Sequence, residues 1–147
     1  MTAHSDATPS TTAARNADIF QKKITFEKKM GITLCKIAPT EATLKMTVTD
    51  DVLNFFGSAH GGAIYTLADA AFAYACNTEE YVTVGASCTM DYLLPAYSGD
   101  DLTATASLYA KNGRQEIYHI KITNQNNELI AIFTGKSAKT KTLIIDS

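Results

Sequence analysis

Apolar and polar residues along this chain repeat with two periods, and the two periods separate its strands from its helices. From Ala17 to Met30, Ile19, Phe20, Ile24 and Phe26 are interspersed with lysines, which predicts a short amphipathic helix ending near Gly31. Ile32 to Ile37 reads as a strand. Ala42, Leu44, Met46 and Val48 then alternate with Thr43, Lys45, Thr47 and Thr49, the period of two that marks a half-buried strand. A loop, DVLNFFGSAHGG, leads into the most helical stretch of the chain, Ala63 to Cys76.

Beyond that helix every segment reads as strand. Val82, Val84, Ala86, Cys88, Met90 and Tyr92 alternate with small or polar residues until Pro95 and Gly99 close the run. Leu102, Ala104, Ala106 and Leu108 repeat the pattern, and the Asn112-Gly113 pair predicts a hairpin into Glu116 to Thr123. A polar turn over Asn124 to Glu128 precedes a last strand, Leu129 to Ser137. The fold class implied is α+β, with about five or six antiparallel strands and one long helix after the second.

In the long helix Ile64, Leu67, Ala68, Ala71, Phe72, Ala75 and Cys76 form one stripe, yet Tyr65, Ala70, Ala73 and Tyr74 make the other side apolar as well. A helix apolar all round is expected to be buried. Its alanines suggest that a sheet or a second helix comes close to its backbone.

Composition narrows the function classes. The 147 residues are 46% hydrophobic and 19% charged, which suits a single core-forming domain. Residues 1–14 are small and polar and read as a flexible tail, leaving 15–147 as the domain. A net charge of -2 and a pI near 5.9 provide no basic excess for nucleic acid or an anionic membrane, so neither is expected as a partner. Cys35, Cys76 and Cys88 are widely spaced in apolar runs, so they read as reduced core thiols, with neither a disulfide framework nor a metal site. The N-terminus lacks the apolar segment of a secretory signal, and no stretch suffices for a bilayer span. The expected location is the cytoplasm.

Two features carry candidate chemistry. Asp69 is the sole charged residue of the apolar helix, and burying an unpaired carboxylate costs several kcal/mol or forces its pKa upward. It either pairs with a cation, caps a neighbouring loop, faces a solvent gap or serves as a catalyst. His60-Gly61-Gly62 places two glycines at the positive end of the helix dipole, where backbone N–H groups can hold an oxyanion or simply turn the chain.

The run from Asn54 through His60-Gly61-Gly62 to Asp69 closely resembles the signature of PaaI-type hot-dog-fold acyl-CoA thioesterases. The likeness continues through Ala71 to Asn77, Asp91-Tyr92-Leu93-Leu94-Pro95 and Gly99 to Ala104, and covers roughly Gly31 to Lys139. The resemblance implies an antiparallel sheet curled around one long central helix. It also implies hydrolysis of a phenylacetyl-type or hydroxylated aryl-acyl-CoA, with coenzyme A as part of the substrate and no cofactor. Asp69 matches the carboxylate that attacks the thioester or activates water, and Gly61 the residue whose N–H polarises the carbonyl. Asn54 matches a polar residue near the reacting centre, His60 a residue that orients the glycine turn, and Ser87 a hydroxyl that positions nucleophile or water. Two departures stand out: Leu94 replaces a frequent Arg, and Ala70 a frequent Thr.

Gly61 and Asp69 are eight positions apart, roughly 12 Å along a helix. One carbonyl cannot touch both, so the two groups are expected from different subunits of a homo-oligomer. The family resemblance suggests a dimer of dimers. Lys111, Arg114, Lys136 and Lys139, at the ends of neighbouring strands, are candidates for the coenzyme A phosphates. Phe55, Phe56, Tyr65, Met90 and Tyr92 are candidates for the acyl pocket. The alternatives are a hot-dog hydroxyacyl-thioester dehydratase, which would use His60 as an acid or base, and a non-catalytic acyl-CoA-binding protein.

Overall fold

The period-two segments assemble into one antiparallel sheet in the computed structural model, which describes residues 7–146. In chain order the elements are α1 (Pro9–Lys23), α2 (Phe26–Lys29), β1 (Thr33–Ala38), β2 (Glu41–Thr47), α3 (Gly61–Cys76), β3 (Tyr81–Tyr92), β4 (Asp101–Asn112), β5 (Gln115–Thr123) and β6 (Leu129–Leu143). The six strands are ordered β1-β2-β4-β5-β6-β3. The chain leaves β2, runs through α3 and enters the sheet again at its far edge as β3. This is the hot-dog arrangement, with the sheet packed against α3 from β2, β4, β5, β6 and β3.

Alternation fixes which side of each strand meets the helix. Leu44 and Met46 of β2, Leu102 and Ala104 of β4, Ile120 and Ile122 of β5 and Phe133 of β6 are all buried against it. Each large side chain of this set contributes about 1.5–3 kcal/mol by leaving water. Helix and sheet approach closely at Phe72, whose ring lies where a Cβ on Gly135 would come within 2.8 Å. A glycine in the strand, rather than the alanines of the helix, makes that contact possible.

Several boundaries differ from those the sequence predicts. Residues 1–6 of the expected tail lie outside the described residues, but α1 begins at Pro9, within that tail. Its cap is Thr8, whose hydroxyl accepts from the Thr11 N–H, and Thr12, Ala13, Asn16 and Ala17 are buried. Asn16 donates through Nδ2 to the Asn77 and Glu79 carbonyls at 2.9 and 2.6 Å, tying α1 to the end of α3. The helix expected over 17–30 is broken at Ile24 and Thr25 into α1 and α2. The hairpin turn centres on Gly113 and Arg114, one residue later than expected, with Gly113 at φ +60°. β6 extends past Ser137 to Leu143 because β3 pairs with it over that whole length.

The expectation of a helix buried all round is corrected. Gly62, Asp69 and Ala73 are exposed and Thr66 is half-buried, at spacings that place all four on one face of α3. The sheet covers most of the remaining surface, with α2 and Phe20 of α1 alongside it, Phe20 packing edge-on against Tyr74. Of the cysteines, only Cys76 lies in the core; Cys35 and Cys88 are exposed, and all three are free thiols.

Candidate active site

The start of α3 is a turn whose polar groups are almost all taken. His60 is the N-cap residue, and its Nδ1 accepts from the Gly62 N–H at 2.9 Å. Its ring is thereby set as the tautomer that carries the proton on Nε2. The His60 carbonyl accepts from Ala63 and Ile64 at 2.9 and 3.3 Å, and the Gly62 carbonyl accepts from the Thr66 hydroxyl at 2.8 Å. The Gly61 carbonyl accepts from the Tyr92 hydroxyl at 2.9 Å. Among the described residues the Gly61 N–H has no acceptor. One donor at the positive end of a helix dipole is therefore left open, the arrangement that stabilises an oxyanion.

Gly61 lines a pocket of about 320 Å³ with Asn54, Ser58, Ile64, Tyr92 and Leu94. Asn54 shapes its wall: Oδ1 accepts from the Phe56 and Ser58 N–H groups at 2.9 and 3.2 Å, and Nδ2 reaches the Ser58 hydroxyl at 3.0 Å. The structure thus brings Asn54 and Gly61 together. His60 faces a different hollow, shared with Phe26, Met30 and Thr66.

Asp69 lies two turns further along the uncovered face of α3 and makes no ion pair or side-chain hydrogen bond among the described residues. It reaches solvent, but neighbouring protein atoms strip part of its hydration. This, ahead of the negative charge of Glu27 on α2, raises its carboxyl above the ordinary aspartate range. Glu27 and Ala73 line a cleft of about 340 Å³ between the N-terminal helices and the second half of α3, with Phe20, Ile24, Tyr74 and Val82. One turn before Asp69, the Tyr65 hydroxyl lies 2.5 Å from Cys88 Sγ. Its pKa is pushed up to about 12, first by that hydrogen bond and then by burial and by nearby charge, Asp69 included.

Other expected site residues lie elsewhere. Cys88 turns toward α3, so Ser87, its neighbour on the strand, turns to the opposite face, where its cross-strand partner is Lys136. Within one chain Ser87 does not join Asp69. Lys111 Nζ sits 2.9 Å from the buried Glu116 and 3.3 Å from Glu79, and Lys139 pairs with the same two carboxylates. Arg114 donates to the Lys139 carbonyl through Nε and a terminal nitrogen at 3.0 and 2.8 Å. These three cations are committed to the protein itself, around the last turn of α3 rather than its first. Phe55 and Phe56 stand out from their loop, 90% and 80% exposed, while Met90 and Tyr65 pack against the core, so the expected acyl-pocket residues do not form one cavity.

Among the described residues no group of three or more His, Cys, Asp or Glu is placed to hold a metal ion. Sequence reasoning assigned no role to Glu27, and nothing in its position, 42 residues before Asp69, marks it. Tyr65 was legible as a neighbour of Asp69 from the i, i+4 spacing alone.

Comparison with known proteins agrees with this fold. The thioesterase superfamily profile matches residues 56–131. The chain is 40% identical over 125 residues to the acyl-coenzyme A thioesterase PaaI of Escherichia coli, covering 85% of this chain and 89% of that protein. It is 30% identical over 110 residues to human acyl-coenzyme A thioesterase 13, covering 72% and 79% of the two. The structure of E. coli PaaI, from the phenylacetic acid degradation operon, superimposes with a TM-score of 0.89 at 38% identity, over 92% of this chain and 99% of that one. A mutant phenylacetic acid degradation protein PaaI from Thermus thermophilus follows with a TM-score of 0.75 at 36% identity, over 78% and 98%. With its hot-dog sheet, its helix opening on His60-Gly61-Gly62 and these relatives, the chain belongs to the thioesterase superfamily, in its PaaI-type branch.

Proposed function

We propose that this protein is an acyl-CoA thioesterase that hydrolyses aryl-type acyl-CoA substrates of the phenylacetyl or ring-hydroxylated class to the free acid and coenzyme A. The observation that carries the reading is the pairing of one open donor, the Gly61 N–H, with one unpaired and partly desolvated carboxylate, Asp69. A thioester needs these two things from its enzyme. The donor holds the charge that develops on the carbonyl oxygen, and the carboxylate supplies the attack, while the thiolate departs without strong assistance. In one route Asp69 attacks the carbonyl carbon, coenzyme A leaves as thiolate, and water cleaves the resulting anhydride. In the other, Asp69 takes a proton from water as the water attacks. Desolvation makes the carboxylate more basic, which serves both routes.

The separation of the two groups supports a homo-oligomer. They lie eight residues apart on one straight helix, roughly 12 Å, so a single carbonyl meets both only if they come from different subunits. The face of α3 that carries Asp69 is uncovered, and β3 is a 12-residue strand at the sheet edge with the exposed side chains Val84 and Tyr92. A long unpaired edge of this kind calls for a partner. A dimer fits these surfaces, and its further assembly into a tetramer in the cytoplasm belongs to the same proposal. The commitment of His60 Nδ1 to the Gly62 N–H favours turn-holding over the proton transfer of a dehydratase.

The test is release of free thiol from a panel of aryl and straight-chain acyl-CoA substrates. Turnover is expected to be fastest with the aryl thioesters. Absence of thiol release from every member of the panel overturns the reading.

A further inference from the structure

The Gly61 N–H can serve as an oxyanion donor only if it keeps one direction, and glycine is the residue least able to hold a direction by itself, since no Cβ restricts its φ and ψ. Two peptide planes meet at its Cα. The plane before it is held at the His60 carbonyl by the first turn of α3. The plane after it is gripped at both ends by side chains: His60 Nδ1 takes its N–H, on Gly62, and the Tyr92 hydroxyl donates to its carbonyl, on Gly61. Tyr92 reaches this point from the last residue of β3, 31 residues along the chain. A Cβ added to Gly61 would meet the Tyr92 Cζ and Oη at 3.2 Å, so ring and glycine are fitted to one another. Gly61 is not at a left-handed φ, and a side chain here would need only a shift of a few tenths of an ångström by the Tyr92 ring.

We propose that Tyr92 is a positioning residue for thioester hydrolysis: its hydroxyl fixes the Gly61–Gly62 peptide, and with the His60–Gly61 peptide held by the first helical turn this limits rotation about the Gly61 Cα and keeps the open Gly61 N–H oriented for the oxyanion. The inference rests on the thioesterase reading given above. Tyr92 is half-exposed, at 51%, and its ring forms part of the wall of the pocket that Gly61 lines. A tyrosine present only for packing would act through its ring, whereas this role belongs to its hydroxyl.

Tyr92→Phe separates the two, because the ring remains and only the donor goes. The variant is expected to lose about tenfold in kcat, with KM within about twofold of the parent and only a small fall in melting temperature, since a single exposed hydrogen bond of the resting enzyme is lost. Gly61→Ala, which pushes the ring away, is expected to reduce kcat through the same peptide. The double variant should then be no slower than the slower single variant, because both changes release one lock. A Tyr92→Phe enzyme with kcat within twofold of the parent overturns the proposal while leaving the thioesterase reading intact. So does a change confined to KM, or a double variant whose losses multiply. A parent that releases no thiol from any substrate of the panel overturns both.

Discussion

The Nδ1 of His60 accepts the Gly62 N–H at 2.9 Å, so this histidine caps the helix that it introduces and leaves Gly61 as the residue with an open donor. Its role in this account is to hold a turn, and an asparagine side chain can offer an acceptor at the same cap position.

His60→Asn should therefore keep kcat within about tenfold of the parent. His60→Ala, which has no acceptor, should lose about 1 kcal/mol of stability and more of the activity. Thermal melts and steady-state kinetics on the two variants check this. A His60→Asn enzyme as inactive as one without its carboxylate would give His60 a proton-transfer role instead.

Asp69 has a carboxyl raised above its ordinary range, chiefly by lost hydration and then by Glu27. The ionised form is the reactive one, so kcat should fall as pH drops through this raised value. Glu27→Gln should move that acidic limb to lower pH. Stability responds with the opposite sense. A carboxyl whose folded pKa is raised favours folding when protonated, and that contribution is lost as pH rises from the unfolded through the folded value. Asp69→Asn should thus cut kcat by about a thousandfold or more, yet melt at or above the parent at neutral pH, the difference vanishing in acid. Turnover within tenfold of the parent would remove Asp69 from the chemistry.

Lys111 and Lys139 enclose Glu116, which is 2% exposed and also accepts from the Tyr118 hydroxyl at 2.9 Å. The neighbouring Glu79 has its pKa lowered, mainly by its hydrogen bond from Lys139, and Lys111 has its own raised, mainly by Glu116. Lys111→Met should cost about 1–3 kcal/mol, less than stranding a fully unpaired buried carboxylate, because Lys139 stays within reach. Its KM for acyl-CoA should be unchanged. A large rise in KM with an unaltered melt would return this lysine to the coenzyme A site.

Period two made β2 and β4 legible in the sequence, because strands with one face on a core cannot hide their alternation, and the Asn112-Gly113 pair announced β5; β3 also alternates, although Val84, Cys88 and Tyr92 of its apolar set are exposed. The turn His60-Gly61-Gly62 was legible as the opening of the long helix, and the structure sets its Gly61 beside Asn54 in one pocket. What escaped has physical causes. Thr12 and Ala13 bury a helix face too small to register as hydrophobic, so the part of α1 up to Ala14 looked like a tail. The apolar ring of residues around α3 shows that every face needs covering, but not which face its own sheet leaves for another surface. The commitments of Lys111 and Lys139 depend on Glu79 and Glu116, brought in from other strands and loops by tertiary packing. Tyr92 gave no sign of its hold on Gly61, since a strand-end tyrosine reads as packing until the fold brings the two together.

Two inactivating variants test whether one active site is built from two chains. Asp69→Asn removes the carboxylate, and Gly61→Pro removes the open N–H at a helix position that tolerates proline. Each variant alone should be nearly inactive. Co-expressed with different tags, they form mixed dimers in which the intact Gly61 of one chain meets the intact Asp69 of the other. With random pairing about half of the dimers are mixed, and one of their two sites is whole, so recovery should approach about a quarter of parent turnover. If tagged co-purification shows folded mixed dimers and no turnover returns, the shared site is contradicted.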